Sequence, residues 1–241
     1  MVNRKERIEI IDALRGLAVI LMVAHHLLYN CVEFLGGPYW LYSNPVFDVL
    51  HYIFAGLFIF LSGVSSRFSR GNIKRGLIAI ALAAVISIVT YLIEMPIWFG
   101  VLHLLGFLML LFGLTRKLWD FIPRLVAPFL FISLTAAGAL ILKYVDITAE
   151  NPVLRVLLSI LGWRQKGFVS YDYFPILPWI FVFLLGTWTG LYIKERKLPE
   201  WFYKAKFPVF PAVGRKSLMI YVLHQPILYG LTMGIKYILP P

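Results

Sequence analysis

Long apolar stretches separated by short charged segments run through this sequence. Seven of them are long enough for a helix to cross the hydrocarbon core of a bilayer, which takes roughly 20 residues. They cover residues 8–29, 46–64, 74–94, 98–115, 124–142, 174–193 and 214–238. Their apolar residues run on continuously instead of alternating with the two-residue period of barrel strands. The pattern predicts an all-α integral membrane protein with about seven transmembrane helices.

Two of the connecting segments are apolar enough to interact with lipid. The link over residues 143–173 contains the stretch NPVLRVLLSILGW, which is too short to span and predicts a re-entrant or interfacial helix. The link after the sixth stretch, KERKLPEWFYKAKFPVF, mixes basic and aromatic residues. Such a mixture is typical of a segment that lies on an anionic lipid surface.

Lysine and arginine alternate between the two ends of these stretches. The links over residues 30–45 and 95–97 contain neither residue type. Most basic residues fall in the N-terminal tail and the even-numbered links: Arg4, Lys5, Arg7, Arg67, Arg70, Lys74, Arg75, Arg116, Lys117, Arg124, Lys194, Arg196, Lys197, Lys204, Lys206, Arg215 and Lys216. Basic segments stay in the cytoplasm. The alternation therefore predicts an N-terminus inside and a C-terminus outside.

Composition agrees with this assignment. Of the 241 residues, 60% are hydrophobic, and the mean hydropathy is +0.80. A soluble core of this length could not bury that much apolar surface. We expect one multi-pass domain, residues 1–241, in the cell (cytoplasmic) membrane. The net charge of +11 is explained by topology, so no nucleic-acid partner is expected. A single cysteine, Cys31, excludes an intramolecular disulfide.

The first stretch carries ionisable residues inside a predicted span. A charged side chain at the centre of a span costs about 3 kcal/mol, so these residues should face protein or water. Asp12 lies one turn before Arg15 and is placed to pair with it. Arg15 and His26 lie eleven residues apart, about 20° apart around the helix and about 16 Å apart along it. His25 points about 80° away from His26, so His26 is the functional candidate of the two.

Other polar residues separate by predicted depth. Near the predicted outer side are His25, His26, Asp48, His51 and His103, and His224 lies mid-depth, one residue before Gln225 and two before Pro226. Near the predicted inner side are Arg15, Ser62, Gly63, Ser65, Ser66, Arg67, Arg70, Lys74 and Arg75. The last eight are predicted to lie at the turn between the second and third spans. This division predicts a polar channel that is cationic inside and lined by imidazoles outside.

Acyl transfer fits that division. Basic residues would hold an anionic, phosphate-bearing donor, while a neutral imidazole oriented by a carboxylate takes the proton of an attacking hydroxyl or amine. His26 with Asp48 is the candidate pair, and His103 is a candidate oxyanion donor. The candidate donor-binding residues are Arg15, Ser62, Ser66, Arg67, Arg70, Lys74 and Arg75. No metal is expected.

Simpler roles remain open for each group. Asp48 and His51 could form a solvated pair near the interface, and His103 and His224 could make plain interhelical hydrogen bonds. The basic turn is first a topology signal. Small residues such as Gly63, Gly76 and Gly106 mostly permit close helix packing. A small proton-coupled transporter and a non-enzymatic scaffold subunit are alternative functions, because buried imidazoles also form proton relays or fix packing.

Five segments in order carry a resemblance: IDALRGLAVILMVAHH, FIFLSGVSS, FGVLHLLG, DYFPILPWIFVFLLG and GRKSLMIYVLHQPIL. Over residues 8–232 the chain resembles the bacterial membrane domain similar to heparan-alpha-glucosaminide N-acetyltransferase. The spacing of Arg15 and His26 is also similar to that in acyltransferase family 3, within the wider transmembrane acyltransferases. In these families a cytoplasmic acyl-CoA gives its acyl group to an acceptor across the membrane.

The resemblance implies the donor and the site residues. Acetyl-CoA or another acyl-CoA would be the donor. The acceptor is not implied by the resemblance, and we expect an extracytoplasmic carbohydrate or lipid-linked sugar. Arg15 and His26 would be central, and Asp48, His103 and His224 would line the site. Membrane lipids are expected partners, and a homodimer is left open.

Overall fold

The computed structural model describes residues 8–238, which form ten α-helices, one short 3-10 helix (Tyr39–Leu41) and no strand. The α-helices are α1 (Glu9–Leu35), α2 (Pro45–Phe68), α3 (Asn72–Leu92), α4 (Val101–Asp120), α5 (Ala127–Tyr144), α6 (Pro152–Leu161), α7 (Trp179–Lys194), α8 (Glu200–Lys204), α9 (Phe210–Arg215) and α10 (Ser217–Ile238).

Six of the described helices, α1 to α5 and α10, are long and apolar enough to cross a membrane. The prediction of an all-α, multi-pass membrane protein is confirmed. The predicted span at residues 174–193 corresponds to α7, an apolar helix of 16 residues, and the predicted short helix corresponds to α6. The orientation of the termini and the single domain stay predictions. Arg4, Lys5 and Arg7, on which the orientation partly rests, lie outside the described residues.

Local signals fix where α1 ends and α2 begins. Gly36 adopts a left-handed conformation (φ 71°) and its N–H bonds the Cys31 carbonyl, which is how glycine ends a helix. Asn44 precedes α2, and its Oδ1 accepts the backbone N–H of Val46 at 3.0 Å and of Phe47 at 3.1 Å. These caps set the first two turns of α2, which carry Asp48 and His51.

Helix α2 continues four residues beyond its predicted end. Ser62, Ser66 and Arg67 are therefore helical and buried, and the turn is confined to residues 69–71. The prediction that they lie in a polar turn is wrong. Their polarity does not mark an exposed turn, because the helix places them in the protein interior, where Arg67 is only 3% exposed.

The chain divides into two compact units, one with the residues up to Leu61 and from Leu198 on, the other Ser62–Lys197. In the first unit, α1 packs against α9 and α10. A Cβ atom at Gly16 would collide with the backbone carbonyl of Phe210, and one at Gly214 with that of Asp12. Glycine at both positions lets the two backbones touch.

The second unit has its own packing. Helix α3 packs against α4, and α5 packs against α7. A Cβ atom at Gly76 would lie 2.7 Å from the carbonyl oxygen of Gly106. A Cβ atom at Gly106 would lie 3.0 Å from the carbonyl oxygen of Gly76. The predicted packing role of these two glycines is confirmed. The fully buried rings of Phe112 and Phe183 stack edge to face, with centroids 6.1 Å apart, in the core of this unit.

Candidate functional site

Four histidines of the first unit lie together, and we call them the imidazole cluster: His25 and His26 of α1, His51 of α2 and His224 of α10. Their ring centroids follow one another at 4.7 Å from His51 to His25, 5.7 Å from His25 to His26, and 4.9 Å from His26 to His224. Three helices thus bring their imidazoles into one continuous chain of rings.

The hydrogen bonding of His26 sets which of its nitrogens carries a proton. Nδ1 lies 2.9 Å from the backbone carbonyl oxygen of Met22, one turn earlier in α1. A carbonyl only accepts, so Nδ1 must be the N–H donor. In the neutral imidazole Nε2 then keeps its lone pair, which is the state a general base requires.

His224 repeats this arrangement on α10. Its Nδ1 lies 2.6 Å from the Tyr221 carbonyl oxygen and donates to it, so the neutral ring again keeps its lone pair on Nε2. The residue is 9% exposed, and among the described residues its Nε2 has no hydrogen-bond partner. His26 and His224 therefore pack edge to face, each with a basic Nε2.

His25 joins the cluster from another direction. Its ring contacts Tyr42 at a centroid distance of 5.2 Å as well as His51, and its Nδ1 is buried with no partner within residues 8–238. Tyr42 lies outside the spans, and burial raises the pKa of its phenol above the ordinary value. It therefore remains a hydroxyl donor beside His25 at neutral pH.

Arg15 and Asp12 form the predicted pair on α1. Nη1 of Arg15 lies 2.9 Å from Oδ1 of Asp12, and both side chains are mostly buried. The pairing prediction is confirmed. Because α1 is continuous from residue 15 to residue 26, about 16 Å of helix separates Arg15 from the imidazole of His26.

Asp48 does not take the predicted position beside His26. Among residues 8–238 no hydrogen bond or ion pair joins the two side chains, and Asp48 is exposed near the start of α2. The reason is local, because the nitrogen of His26 that a carboxylate would orient already donates to the Met22 carbonyl. The predicted hydrogen-bonded His26–Asp48 pair does not form in the described residues, where a backbone carbonyl orients the His26 ring instead; a site role for Asp48 stays a prediction.

His103 belongs to the second unit and is held from both sides of its ring. Its Nδ1 accepts the backbone N–H of Gly100 at 3.2 Å, so Nε2 carries the proton. Nε2 lies 3.2 Å from the Ser87 hydroxyl, whose own hydrogen is donated to the Ile97 carbonyl at 2.6 Å. The single N–H of the neutral ring is thus used inside the protein, where it braces the start of α4.

The predicted donor-binding residues of the second unit differ in exposure. Arg70, Lys74 and Arg75 are exposed around the α2–α3 turn. Arg67 instead donates from Nη1 to Asp120 at 2.5 Å and from Nε to the Thr187 carbonyl at 3.1 Å. Arg67, Asp120 and Thr187 border a cavity of about 220 Å³, which is also lined by Trp119, Arg124 and Trp188. The donor-binding roles stay predictions.

Residues 7–226 match the family model described as heparan-alpha-glucosaminide N-acetyltransferase, catalytic. The chain belongs to this family. The predicted family is confirmed, and its description supports a membrane N-acetyltransferase type of function for a helical protein of this kind. Neither the curated proteins nor the solved structures include a match to the chain.

Sequence reasoning missed part of what this family member places around His26. It did not take His25 as a functional candidate, because His25 was predicted to point away from the side of α1 that carries His26. It gave no role to Tyr42 or Asn30. The i+4 spacing of Asn30 from His26 was a usable signal, because such residues share a helix face. The contacts of Tyr42 depend on how residues 36–44 return toward α1, for which periodicity offers no signal.

Within the described residues, no three His, Cys, Asp or Glu side chains are arranged to hold a metal ion.

Proposed function

We propose that this protein transfers an acetyl group, or another acyl group, from acyl-CoA to an amine or hydroxyl of an extracytoplasmic carbohydrate or lipid-linked acceptor. The observation that carries the proposal is the hydrogen bond from His26 Nδ1 to the Met22 carbonyl, which leaves Nε2 as a base in the partly buried imidazole cluster. Membership of the acetyltransferase family supports the reaction type.

The reaction needs a base that takes a proton and later gives it back. As the acceptor nitrogen or oxygen attacks the thioester carbonyl, its proton passes to Nε2 of His26. The carbon–sulfur bond then breaks, and the proton goes to the departing CoA thiolate. The balance is an acylated acceptor and free CoA.

His224 is the partner of that base in the proposal. Once His26 is protonated at Nε2, its positive charge lies beside the neutral ring of His224, whose centroid is 4.9 Å away and whose Nε2 keeps a lone pair. A neutral imidazole beside an imidazolium lowers the cost of holding positive charge inside a membrane. His224 therefore stabilises the protonated intermediate.

The donor is proposed to contact the second unit through its phosphates. The cations Arg70, Lys74 and Arg75 are exposed around the α2–α3 turn, where guanidinium and ammonium groups can bind an anionic ligand, whereas Arg67 serves an internal ion pair. We place the protein in the cell membrane, with this basic turn in the cytoplasm, as the positive-inside rule directs.

The test is acyl transfer by the purified protein in lipid nanodiscs. Radiolabelled acetyl-CoA is supplied with glucosamine or with cell-envelope carbohydrate, and labelled product and released CoA are measured. His26→Gln and His26→Ala should lower kcat at least about 100-fold. Thr232→Val is the matched control, because Thr232 is a buried polar residue of α10 whose hydroxyl bonds only its own helix, at Leu228.

Two results would contradict the proposal. One is His26→Gln retaining kcat within threefold of the unaltered protein. The other is no CoA release with any of these acceptors, together with solute uptake driven by a pH gradient. That second result would favour the proton-coupled transporter.

A further inference from the structure

Asn30 of α1 and Gln225 of α10 form a buried amide pair. Nε2 of Gln225 donates to Oδ1 of Asn30 at 3.1 Å, and Asn30 is 0% exposed. The remaining groups of the pair, Nδ2 of Asn30 and Oε1 of Gln225, are buried with no hydrogen-bond partner among the described residues. A buried amide group without a partner costs about 1–3 kcal/mol.

A purely structural role does not account for this geometry. Two facing primary amides can satisfy each other with two hydrogen bonds, each donating to the other's carbonyl. Here one bond forms and its counterpart does not. With the amide orientations of the structure, the free N–H belongs to Asn30 and the free carbonyl to Gln225. The pair thus presents an N–H donor and an acceptor to a third group.

The amide pair and the two basic imidazoles lie on the same two helices, α1 and α10. Asn30 follows His26 by four residues, so both project from one face of α1 about one turn apart. Gln225 directly follows His224 on α10, whose Nε2 is also buried without a described partner. A ligand that reached both sets of groups would meet lone pairs for its proton and an N–H for its oxygen.

We propose that the Asn30 amide N–H is the oxyanion donor of the acyl transfer, held in place by Gln225. This inference rests on the proposed function. When the acceptor attacks the thioester, the carbonyl electron pair moves to oxygen, and the negative charge is stabilised by the Asn30 N–H. When the carbonyl re-forms, the carbon–sulfur bond breaks and the thiolate takes the proton held by His26. Asn30 is then a catalytic residue, and Gln225 is a positioning residue.

The test compares turnover with stability in the same variants. Asn30→Leu keeps the approximate size of the side chain and removes both the donor and the unpartnered polar group. We expect kcat per folded protein to fall about 100- to 1,000-fold, with KM for acetyl-CoA changed less than threefold. The melting temperature should fall only slightly, because the variant loses the unpartnered Nδ2 of Asn30 but leaves Nε2 of Gln225 without its acceptor. A structural role would instead reduce activity only in proportion to the loss of folded protein.

A second set of variants guards against misfolding. Asn30→Ala cannot overfill the site and should show the same fall in kcat, measured on the monodisperse fraction from size-exclusion chromatography. Gln225→Leu should lower kcat about tenfold with KM unchanged, because the Asn30 amide is then free to rotate. Thr232→Val should match the unaltered protein in both measurements.

The outcomes separate this inference from the function on which it rests. If His26→Gln is inactive while Asn30→Leu and Asn30→Ala keep kcat within threefold, the oxyanion role is wrong and the acyltransferase stands. If the unaltered protein releases no CoA with glucosamine or cell-envelope carbohydrate, both are wrong. A loss of activity in Asn30→Leu that is fully accounted for by the loss of folded protein overturns the oxyanion role alone.

Discussion

The imidazole rings of His26 and His224 lie edge to face, with centroids 4.9 Å apart, and each donates its Nδ1 proton to a carbonyl of its own helix. The two helices thereby fix both tautomers before any substrate arrives. Because both Nε2 atoms keep lone pairs, the pair is suited to share one proton. This relationship underlies the first prediction.

His224→Ala should lower kcat at least about tenfold while leaving KM for acetyl-CoA within threefold, because the imidazolium of His26 loses the lone pair that stabilises it. Initial rates of CoA release at several donor concentrations give the two constants. A His224→Ala protein with unchanged kcat would show that His26 works without this partner.

Asp120→Asn should lower the free energy of unfolding by about 1–2 kcal/mol, because it removes the carboxylate paired with a buried guanidinium. The loss is smaller than for a fully buried pair, since the Asp120 side chain is 42% exposed. Thermal unfolding in detergent gives the measurement. Arg116→Gln is the control, because its nitrogen lies 3.9 Å from Asp120 at the surface and should contribute at most about 1 kcal/mol.

Gly214→Ala should destabilise the first unit by about 1–3 kcal/mol, because the added methyl group meets the backbone carbonyl of Asp12, which cannot rotate away as a side chain can. Gly230→Ala is the matched control on α10, where a Cβ meets no atom within 4 Å. There the substitution should be neutral or stabilise by up to about 1 kcal/mol. Equal melting temperatures for the two variants would contradict the close contact of α1 with α9.

His103→Ala should lower stability by about 1–3 kcal/mol, because it leaves the Gly100 N–H without its acceptor and the Ser87 hydroxyl without its donor. Turnover per folded molecule should change less than threefold. Activity must therefore be divided by the folded fraction from size-exclusion chromatography. A kcat loss above 100-fold in fully folded protein would return His103 to the catalytic role that the sequence predicted.

Replacing both Arg70 and Lys74 by Gln should raise KM for acetyl-CoA about fivefold and leave kcat unchanged, because two exposed cations that attract phosphate are lost. The increase should shrink in high salt, where exposed charges are screened. Lys236→Gln removes an exposed cation from the end of α10 and should leave KM unchanged. An unchanged KM in the double variant would remove this turn from the donor site.

The sequence was informative wherever one helix alone decides the geometry. The Asp12–Arg15 pair follows from three-residue spacing, and the apolar stretches gave the positions of the helices. The same spacing argument was insufficient for His26 and Asp48, which lie on different helices. The sequence gives the direction in which each side chain points around its own helix. It does not give which neighbouring helix lies in that direction.

The boundaries of α2 show a second reason why the sequence alone was insufficient. Sequence reading ended this helix at residue 64 and assigned the polar residues Ser62 to Arg67 to the turn that follows. Arg67 is buried in the structure because Asp120 and the Thr187 carbonyl, 53 and 120 residues away in sequence, meet its guanidinium. A partner that distant leaves no local signal in the sequence.

The sequence by itself determined that this is a helical membrane protein and that it belongs to an acetyltransferase family, and it predicted His26 as a central residue. Hydropathy, spacing and motif order are properties of consecutive residues, so they can be read directly. Only the tertiary structure decided that His26 meets His224 and that Asn30 meets Gln225. Those contacts depend on how α1 and α10 pack, and packing is a property of surfaces formed by residues nearly 200 positions apart.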